Sequence, residues 1–372
     1  MKILLYCYAF YPSIGGIETI TKTMADSMTD LGHTCTVVTE TQSPDPDNFP
    51  YQICRRPSRK EILALMRQHD VICNIELSMK FFILSKIARK PLIWLHNGYK
   101  LLCIDAFGWY EDGPAPMSPW ASIRFYRKHK GLKFALDQGI KLYSRRWASK
   151  FIFKNVAGSE WVAKRQPLRN QIQIYAPFPV ANFLPVNGRL NKEYDFLFFG
   201  RLVAEKGVDV LLRAFHHLLE KTDDKSLKLA IVGYGKAKEG LEKLSRELGI
   251  SENVFFLGPK RGQELADEIA KTEVTIAPST WEEPYGGVAL EAIAAGRVPI
   301  ISLYGGLKEI VGDEGLTFTN GNWMELYERM NEIVYNPELR EKQRSKRKEQ
   351  MSKFDPKNIT SEFLSLFQSA LK

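Results

Sequence analysis

Short apolar segments that end near a glycine alternate with amphipathic helical patterns along most of the chain. Near the start, residues 3–7 are apolar, Gly15-Gly16 follows, and apolar residues from Ile17 to Leu31 recur at helical spacing before a second apolar segment at 36–39. A strand, a glycine turn, a helix and a strand form a βαβ unit. A second series of this kind begins at residues 196–199. The pattern predicts an α/β fold of two doubly wound, Rossmann-like domains that face each other across a cleft.

A proline-containing connector at residues 175–179 separates the two series. With 372 residues the chain is long enough to bury two full cores. We predict an N-terminal domain over residues 1–183 and a C-terminal domain over residues 184–354. An amphipathic terminal helix within residues 355–372 is expected to pack back on the N-terminal domain.

Composition excludes several classes of protein. No apolar segment approaches the roughly 18–20 residues that a membrane-spanning helix needs. Residues 3–11 are apolar, but Pro12 follows them, so this segment is interpreted as a first strand rather than a signal peptide. The five cysteines are odd in number and show no metal-binding spacing. We therefore expect reduced thiols and a cytoplasmic location.

The net charge of +9 is concentrated in one segment. Between residues 120 and 155 there are ten basic residues and one acidic residue, Asp137, with aromatic residues interleaved among them. Such segments bind acidic surfaces such as a membrane or a nucleic acid, although a solvated helix face has the same composition. The candidate surface comprises Arg124, Arg127, Lys128, Lys130, Lys133, Lys141, Arg145 and Arg146.

The segment from Ser279 to Glu291 has the composition of an anion site. A short β-branched segment precedes it, and an apolar helix pattern follows Gly286 and Gly287. Glycines allow a ligand to approach the backbone closely, and the first amides of a helix attract an anion. Two carboxylates, Glu283 and Glu291, bracket these amides. The combination suits a sugar attached to a phosphate.

Other polar positions gave weaker signals. The Gly15-Gly16 turn is either a second phosphate turn or a plain tight turn. His96 follows the strand pattern of residues 91–95, at the edge of a sheet where ligands collect, but a lone histidine is usually structural. Asp45 and Asp47 match the Asp-x-Asp pattern of metal-dependent sugar transferases, but they lie in a loop without strand context. No metal site is predicted.

Four motifs in order resemble those of the GT-B-fold retaining glycosyltransferases, and within them glycosyltransferase family 4 (glycosyl transferases group 1). The resemblance covers nearly the whole chain and is weakest between residues 101 and 155. The first two motifs are Gly15-Gly16-Ile17-Glu18 and Gly200-Arg201 with Glu205-Lys206-Gly207. The third is a pair of glutamates, Glu283 and Glu291, with seven residues between them and a Pro-aromatic-Gly segment directly after the first. The fourth is Gly305-Gly306 followed by Glu309.

The resemblance implies a role for each matching residue. Arg201 and Lys206 would bind the donor diphosphate and stabilise the charge that develops on it, and Glu291 would hold the ribose hydroxyls. Glu283 and His96 would bind hydroxyls of the transferred sugar. A surface pair of Arg201 with Glu205, and a helix-terminal charge at Glu283, are the competing interpretations. Further donor contacts are implied for Gly15, Gly16, Gly200, Gly233, Tyr285, Gly286, Gly287 and Val288.

The implied reaction is transfer of a sugar from a nucleotide-sugar donor, carrying UDP, GDP, ADP or dTDP, to an acceptor hydroxyl with retention of anomeric configuration. The acceptor would attack on the face that the diphosphate leaves, without a covalent glycosyl-enzyme, a cofactor or an essential metal ion. The N-terminal domain would bind the acceptor and the C-terminal domain the donor.

We expect the acceptor to be a lipid-linked glycan or glycolipid of cell-surface polysaccharide assembly, and the basic segment to hold the protein on the anionic inner face of the cell membrane. The alternative is a soluble enzyme that acts on a small polar acceptor, such as a sugar phosphate or polyol. A non-catalytic polyanion-binding protein is a remote third interpretation, and no nucleic-acid partner is expected. The sequence does not identify the nucleotide base, the sugar, the linkage or the oligomeric state.

Overall fold

The computed structural model describes residues 1–13, 15–111, 113–184, 190–313 and 315–372, apart from the side chains of residues 347–349. The chain divides into two compact units. The first comprises Met1–Gly108, Ala115–Pro179 and Phe354–Lys372, and the second comprises Trp109–Pro114 and Val180–Lys353. The predicted domains divide at residues 184 and 355, whereas the units divide at Val180 and Phe354.

Helices and strands alternate along the described chain. Up to the connector they are β1 (Lys2–Tyr6), α1 (Gly16–Asp30), β2 (Thr34–Thr39), β3 (Gln52–Arg55), α2 (Arg59–Gln68), β4 (Val71–Asn74), α3 (Met79–Ala88), β5 (Leu92–His96), β6 (Trp109–Tyr110), β7 (Gly113–Pro114), α4 (Pro119–Lys130), α5 (Leu132–Ala148), β8 (Lys154–Ala157), α6 (Glu160–Arg165) and β9 (Gln171–Gln173). After it they are β10 (Phe196–Phe199), α7 (Val208–Lys221), β11 (Leu229–Val232), α8 (Lys238–Glu247), β12 (Val254–Gly258), α9 (Gly262–Ile269), β13 (Val274–Ala277), α10 (Gly287–Ala294), β14 (Val298–Ser302), α11 (Leu307–Val311), β15 (Leu316–Phe318), α12 (Trp323–Val334), α13 (Pro337–Ser345), α14 (Arg347–Lys353) and α15 (Pro356–Ser369).

The first unit is built on a seven-stranded parallel sheet in the order β3-β2-β1-β4-β5-β8-β9. The chain leaves β1 toward one edge of the sheet and leaves β4 toward the other. The carboxyl ends of β1 and β4 therefore form the topological switch point of this sheet, where open α/β sheets bind ligands. Phe81, Trp94 and Ile72 are among the fully buried side chains of its core.

The second unit is built on a six-stranded parallel sheet in the order β12-β11-β10-β13-β14-β15. Its switch point lies between β10 and β13, because the chain continues from β10 to β11 on one side and from β13 to β14 on the other. All four residues of β10 are buried, as expected for a parallel strand covered by helices on both faces. Helices α7 and α12 pack together over its core.

These two sheets confirm the predicted fold class of two Rossmann-like α/β domains. The terminal helix α15 belongs to the first unit and packs against α1, as predicted. Its apolar face is buried through Ile359, Phe363 and Phe367.

Strands β3, β9 and β15 were not predicted, and neither was the hairpin of β6 and β7. Each of the three strands lies at an edge of its sheet and has at least one partly exposed position. An edge strand is covered on fewer sides, so it lacks the continuous apolar segment that identifies a central parallel strand.

The basic segment forms α4 and α5, which pack against each other and meet at Gly131. Tyr126, Ala135 and Leu142 are buried, whereas large apolar side chains on the opposite faces are exposed. Among the residues that the structure describes, no helix combines the length and apolarity required to span a membrane.

Candidate functional site

The loops that follow β10, β13 and β14 meet at the carboxyl edge of the second sheet. They lie on both sides of its switch point. Most predicted donor-binding residues of this unit are on these loops or at the start of α10: Gly200, Arg201, Lys206, Glu283, Tyr285, Gly286, Gly287 and Val288.

Residues 204–207 form a short turn that is held against the loop after β13. The Thr280 amide donates to the Glu205 carbonyl oxygen at 3.0 Å, and the Thr280 hydroxyl reaches the same oxygen at 3.2 Å. Gly207 has a left-handed backbone, with φ of +65°, and a Cβ at this position would overlap the carbonyl oxygen of Pro278. Glycine is therefore required for the two loops to approach each other.

This approach brings together Lys206 and Glu283, which are 77 residues apart in the chain. Lys206 Nζ donates to Glu283 Oε1 at 2.8 Å, and the Ser279 hydroxyl donates to the same oxygen. Glu283 is buried and the Lys206 side chain is mostly buried. A charged pair in this environment interacts more strongly than one on an exposed surface. The other carboxylate oxygen, Oε2, makes neither of these two bonds.

Arg201 lies in the same loop, five residues before Lys206. Its side chain is 55% exposed, and Nη2 lies 3.6 Å from Glu205 Oε1. The surface pair considered in the sequence is therefore present. An exposed pair of this length contributes little to stability, so the guanidinium is available to a stronger anion such as a diphosphate.

Helix α10 begins beside this charged cluster. The first amide that bonds within the helix is that of Ala289, which donates to the Gly286 carbonyl oxygen at 2.9 Å. The amides of Gly287 and Val288 precede it and are positioned, like all first-turn amides, to attract an anion. Gly286 itself serves packing, because a Cβ there would lie 3.0 Å from the Leu307 Cα of α11.

The backbone of Glu283 is fixed by the loop after β14. Glu283 forms a parallel bridge with Gly305, and the Gly306 amide donates to the Glu283 carbonyl oxygen at 2.7 Å. The predicted Gly305-Gly306 motif thus positions one of the two predicted carboxylates.

Glu291 lies one turn along α10 from its N-terminus. Its carboxylate makes no hydrogen bond or ion pair among the described residues, and burial raises the pKa of Glu291 to about 8. The carboxyl group is therefore largely protonated at neutral pH. A ribose hydroxyl would supply a hydrogen-bond partner for this carboxyl group.

The loops after β10 and β11 are also joined closely. The Leu202 amide donates to the Tyr234 carbonyl oxygen at 2.8 Å. Gly233 has φ of +155°, and a Cβ there would overlap the Gly200 carbonyl oxygen. The predicted donor residues Gly200 and Gly233 are thus in direct backbone contact.

In the first unit, the Gly15-Gly16 turn leads into α1 after β1. A Cβ on Gly16 would meet no atom of the described residues within 4 Å, whereas a Cβ on Gly15 would lie 2.6 Å from Glu18 Oε2. The Ser13 hydroxyl donates to Glu18 Oε1 at 2.9 Å. A carboxylate of the chain itself therefore lies beside this turn, and only the Gly16 side is open. Phosphate binding by this turn stays a prediction.

His96 ends β5 with its ring buried. Asn155 Oδ1 lies 2.9 Å from Nε2, and Gln166 Nε2 lies 3.2 Å from Nδ1. Burial lowers the pKa of His96 to about 4, so the ring is neutral. Both ring nitrogens have partners within the first unit, the geometry of a structural histidine. The predicted contact of His96 with the sugar stays a prediction.

Two residues with site-like properties were missed in the sequence. Ser279 contacts the Glu283 carboxylate, and its position four residues earlier in an otherwise irregular loop gave no periodic signal. The side-chain amide of Asn97 is buried, and neither of its polar atoms has a hydrogen-bond partner within the described part of the chain. Buried amides are normally paired, so Asn97 is a candidate ligand-binding group.

The eight predicted basic surface residues differ in their exposure to solvent. Arg124, Arg127, Lys128, Lys130, Lys133 and Lys141 are exposed. Arg146 instead donates from Nη1 to the Leu101 carbonyl oxygen at 2.5 Å, and Arg145 is partly buried. Exposed apolar side chains lie among the six exposed cations, including Trp120, Phe134, Ile140 and Trp147.

One aspartate of the Asp-x-Asp pattern, Asp47, is bound by an arginine of the chain. Arg55 binds both carboxylate oxygens of Asp47, at 2.6 and 3.0 Å. Within the described ranges, no three His, Cys, Asp or Glu side chains are grouped as metal ligands would be.

Sequence comparison relates the second unit to a known protein family. The family model described as Glycosyl transferases group 1 matches residues 181–350. An uncharacterized glycosyltransferase of Methanocaldococcus jannaschii, MJ1607, is 39% identical over 143 residues, which are 38% of this chain and 35% of that protein. The D-inositol 3-phosphate glycosyltransferase of Corynebacterium aurimucosum is 38% identical over 125 residues, which are 32% of this chain and 30% of that protein. The chain spans about a third of the length of these curated relatives.

Among solved structures, Anabaena HepE in complex with UDP and glucose matches with a TM-score of 0.73. The match covers 99% of this chain and 100% of that one at 18% sequence identity. At this identity the likeness shows the shared fold.

Proposed function

From the premise that residues 181–350 form a domain of the glycosyl transferases group 1 family, we propose that the protein is a glycosyltransferase of family 4. It moves a sugar from a nucleotide-sugar donor to an acceptor hydroxyl with retention of anomeric configuration. The domain match, the named relatives and the UDP-bound structural neighbour support the donor class.

The observation that carries the proposal is the Lys206–Glu283 pair at the start of α10. Lys206 and Arg201 supply two cations, and the Gly287 and Val288 amides supply hydrogen-bond donors. Cations and first-turn amides together form a binding site for a diphosphate. Glu283 provides a fixed carboxylate beside that site, which suits a sugar hydroxyl.

In the proposed reaction the bond between the anomeric carbon and the diphosphate breaks while the acceptor hydroxyl approaches on the same face. The charge that develops on the leaving diphosphate is stabilised by Arg201 and Lys206. A leaving phosphate oxygen takes the acceptor proton. Because these side chains supply the positive charge, we propose that no metal ion is essential.

A donor-hydrolysis screen over UDP-, GDP-, ADP- and dTDP-sugars tests the proposal, with a thermal-shift series of the four nucleoside diphosphates beside it. We expect one nucleotide to stabilise the protein and its sugar to be hydrolysed slowly, with turnover unchanged within twofold in excess EDTA. Arg201→Ala and Glu283→Ala are each expected to reduce turnover at least tenfold. Absence of stabilisation by all four nucleotides, or full turnover in both variants, would contradict the proposal.

For the acceptor, we propose a lipid-linked glycan or glycolipid used in cell-surface polysaccharide assembly, with the protein peripheral on the inner face of the membrane. Support comes from α4 and α5, where six exposed cations lie among exposed Trp, Phe and Ile side chains. Side chains of this kind bind the interface of an anionic bilayer.

A small polar acceptor is the second candidate. The similarity to D-inositol 3-phosphate glycosyltransferases, over about a third of the chain, favours it. Transfer to a water-soluble acceptor in the absence of lipid and detergent would support this candidate. Transfer that requires a lipid-linked acceptor would contradict it.

A further inference from the structure

The first unit contains a basic pocket that the proposed donor chemistry does not use. It has a volume of about 480 Å³ and lies at the carboxyl edge of the first sheet. Tyr6 ends β1 there, and Glu76 and Ser78 follow β4, so the pocket is at the switch point of this sheet. Ligands of open α/β sheets collect at this position. Its lining includes the polar side chains of Tyr6, Glu76, Ser78, Lys100, Lys141 and Arg145.

The charges of this basic pocket are not balanced. Lys100, Lys141 and Arg145 face one carboxylate, Glu76, which is bound by Lys100. Lys141 Nζ lies 2.7 Å from Asp137 on the exposed side of α5. Arg145 Nε is buried and has no hydrogen-bond partner among the residues that the structure describes. Leaving a buried N–H donor unpaired is costly, and an anionic oxygen in the pocket would satisfy it.

The groups beside Arg145 also favour the binding of an anion in this pocket. Burial and the adjacent Arg145 lower the pKa of Lys100 to about 8. Two cations that oppose each other in this way are both stabilised when an anion lies between them. Burial raises the pKa of Tyr6 to about 12, so its hydroxyl stays protonated, and Ser78 adds a second hydroxyl. Guanidinium, ammonium and hydroxyl groups together bind phosphate oxygens.

A narrower crevice adjoins this basic pocket, and Lys100 lines both. The crevice is lined by Asn97, whose buried side-chain amide is unpaired among the described residues, and by apolar residues that include Leu77 and Phe107. An amide donates and accepts, which matches a hydroxyl group. A pocket lined by cations thus lies beside a buried side-chain amide within one unit.

We propose that the basic pocket binds a phosphate ester carried by the acceptor, and that Asn97 binds a hydroxyl of the same acceptor. The proposal rests on the proposed function, because it names the acceptor of that transferase by its chemistry. The phosphate belongs either to a soluble phosphorylated polyol or sugar, or to a lipid headgroup.

Calorimetric titration of the full chain with glycerol 3-phosphate tests the pocket directly. A saturating nucleoside diphosphate is present throughout, so that the phosphate-binding groups of the second unit are occupied. Arg145→Gln removes the unpartnered guanidinium and is expected to weaken binding at least tenfold, and Lys141→Gln by about threefold. Arg67→Gln on α2 removes a cation outside the pocket and is the matched control, expected within twofold of the wild type.

Arg145→Gln and Lys141→Gln proteins that bind glycerol 3-phosphate as tightly as the Arg67→Gln control would overturn the proposal. Circular dichroism checks each fold. Lys141 is half exposed, so its variant carries the test if Arg145→Gln does not fold.

Vesicles of phosphatidylcholine with phosphatidic acid, compared with phosphatidylcholine alone, separate the two sources of phosphate. Binding of the soluble ester or of phosphatidic acid that is lost in Arg145→Gln supports the pocket. Vesicle binding unchanged by Arg145→Gln, with no binding of the soluble ester, overturns it. Donor hydrolysis does not need the pocket, so its absence in the wild type would contradict the proposed function separately.

Discussion

At the residue scale, the candidate site is centred on the ion pair of Glu283 with Lys206. One oxygen of the Glu283 carboxylate accepts hydrogen bonds from the Lys206 ammonium and the Ser279 hydroxyl. In the proposed reaction the ammonium turns to the diphosphate while the carboxylate holds the sugar. The two residues should therefore be separable by experiment.

Glu283→Gln is expected to lower turnover of the nucleotide sugar about 100-fold, because the sugar loses the carboxylate that orients it. Affinity for the nucleoside diphosphate should stay the same or rise, since Lys206 is released for the phosphates. Steady-state kinetics and calorimetry measure the two effects, with the exposed Glu264→Gln as control. Equal loss of nucleotide affinity and turnover would show that Glu283 acts by holding the loop instead.

Glu291 gives a pH dependence. Its folded-state pKa, about 8, is above the ordinary value of 4.5, so the folded protein binds the proton more tightly. The contribution to stability is complete below about pH 4.5 and is lost as the pH rises through about 8. The stability of Glu291→Gln relative to that of the wild type should therefore rise by roughly 4 kcal/mol between pH 5 and pH 9, as measured by denaturant unfolding.

Nucleotide binding should respond in the opposite sense. Ionised Glu291 is the better acceptor for ribose hydroxyls, so wild-type affinity for the preferred nucleotide should rise from pH 6 to pH 9. The affinity of Glu291→Gln should be lower and flat over this range. A parallel rise in both proteins would exclude Glu291 as the ribose ligand.

At the scale of elements, the site depends on loops that are held by glycines. Gly207 and Gly249 have similar left-handed backbones, with φ of +65° and +70°, but only a Cβ on Gly207 would overlap another atom, the Pro278 carbonyl oxygen. A Cβ on Gly249 would meet no described atom within 4 Å. The pair isolates the effect of loop contact from the effect of backbone strain.

Gly249→Ala should cost about 1 kcal/mol through the backbone alone. Gly207→Ala should cost at least about 2 kcal/mol more and should abolish nucleotide-induced stabilisation, because it separates the loops that carry Lys206 and Glu283. Chemical unfolding and thermal shift provide the measurements. Equal destabilisation of the two variants would show that the close approach of the loops is not required.

Prediction of elements succeeded where a segment is buried on both faces. The central strands β1, β4, β10 and β13 have continuous apolar sequences, and their alternation with striped helices identified both sheets. Three edge strands, β3, β9 and β15, were missed because their exposure interrupts that pattern. Ser279 and Asn97 were missed because neither packing nor an unpaired amide leaves a periodic signal in the sequence.

At the scale of the whole molecule, the net charge of +9 is concentrated in residues 120–155, which include most of α4 and all of α5. Lys141 lines the basic pocket with Arg145, whereas the exposed Arg124, Arg127, Lys128, Lys130 and Lys133 are not among the residues that line it. A membrane surface and a phosphate pocket can therefore be tested by different substitutions.

Replacing Arg127, Lys128, Lys130 and Lys133 by Gln should weaken flotation with anionic vesicles at low salt by about two to three orders of magnitude, since each charge contributes roughly 1 kcal/mol. Four exposed lysines of the second unit, Lys221, Lys228, Lys236 and Lys243, give a control with the same loss of charge. Vesicle binding that falls equally in both variants would reflect net charge, and no binding by the wild type would exclude a membrane role for this surface.

The sequence by itself determined the two α/β series, the glycine turns and the residue types near the donor motifs, because these are local properties of strands, helices and turns. Only the tertiary structure decided which of these residues meet. It paired Lys206 with Glu283, enclosed the ring of His96 between Asn155 and Gln166, and placed Lys100 beside Arg145. Each contact joins residues far apart in the chain, and side chains at such distances are brought together by strand order, which the local pattern does not encode.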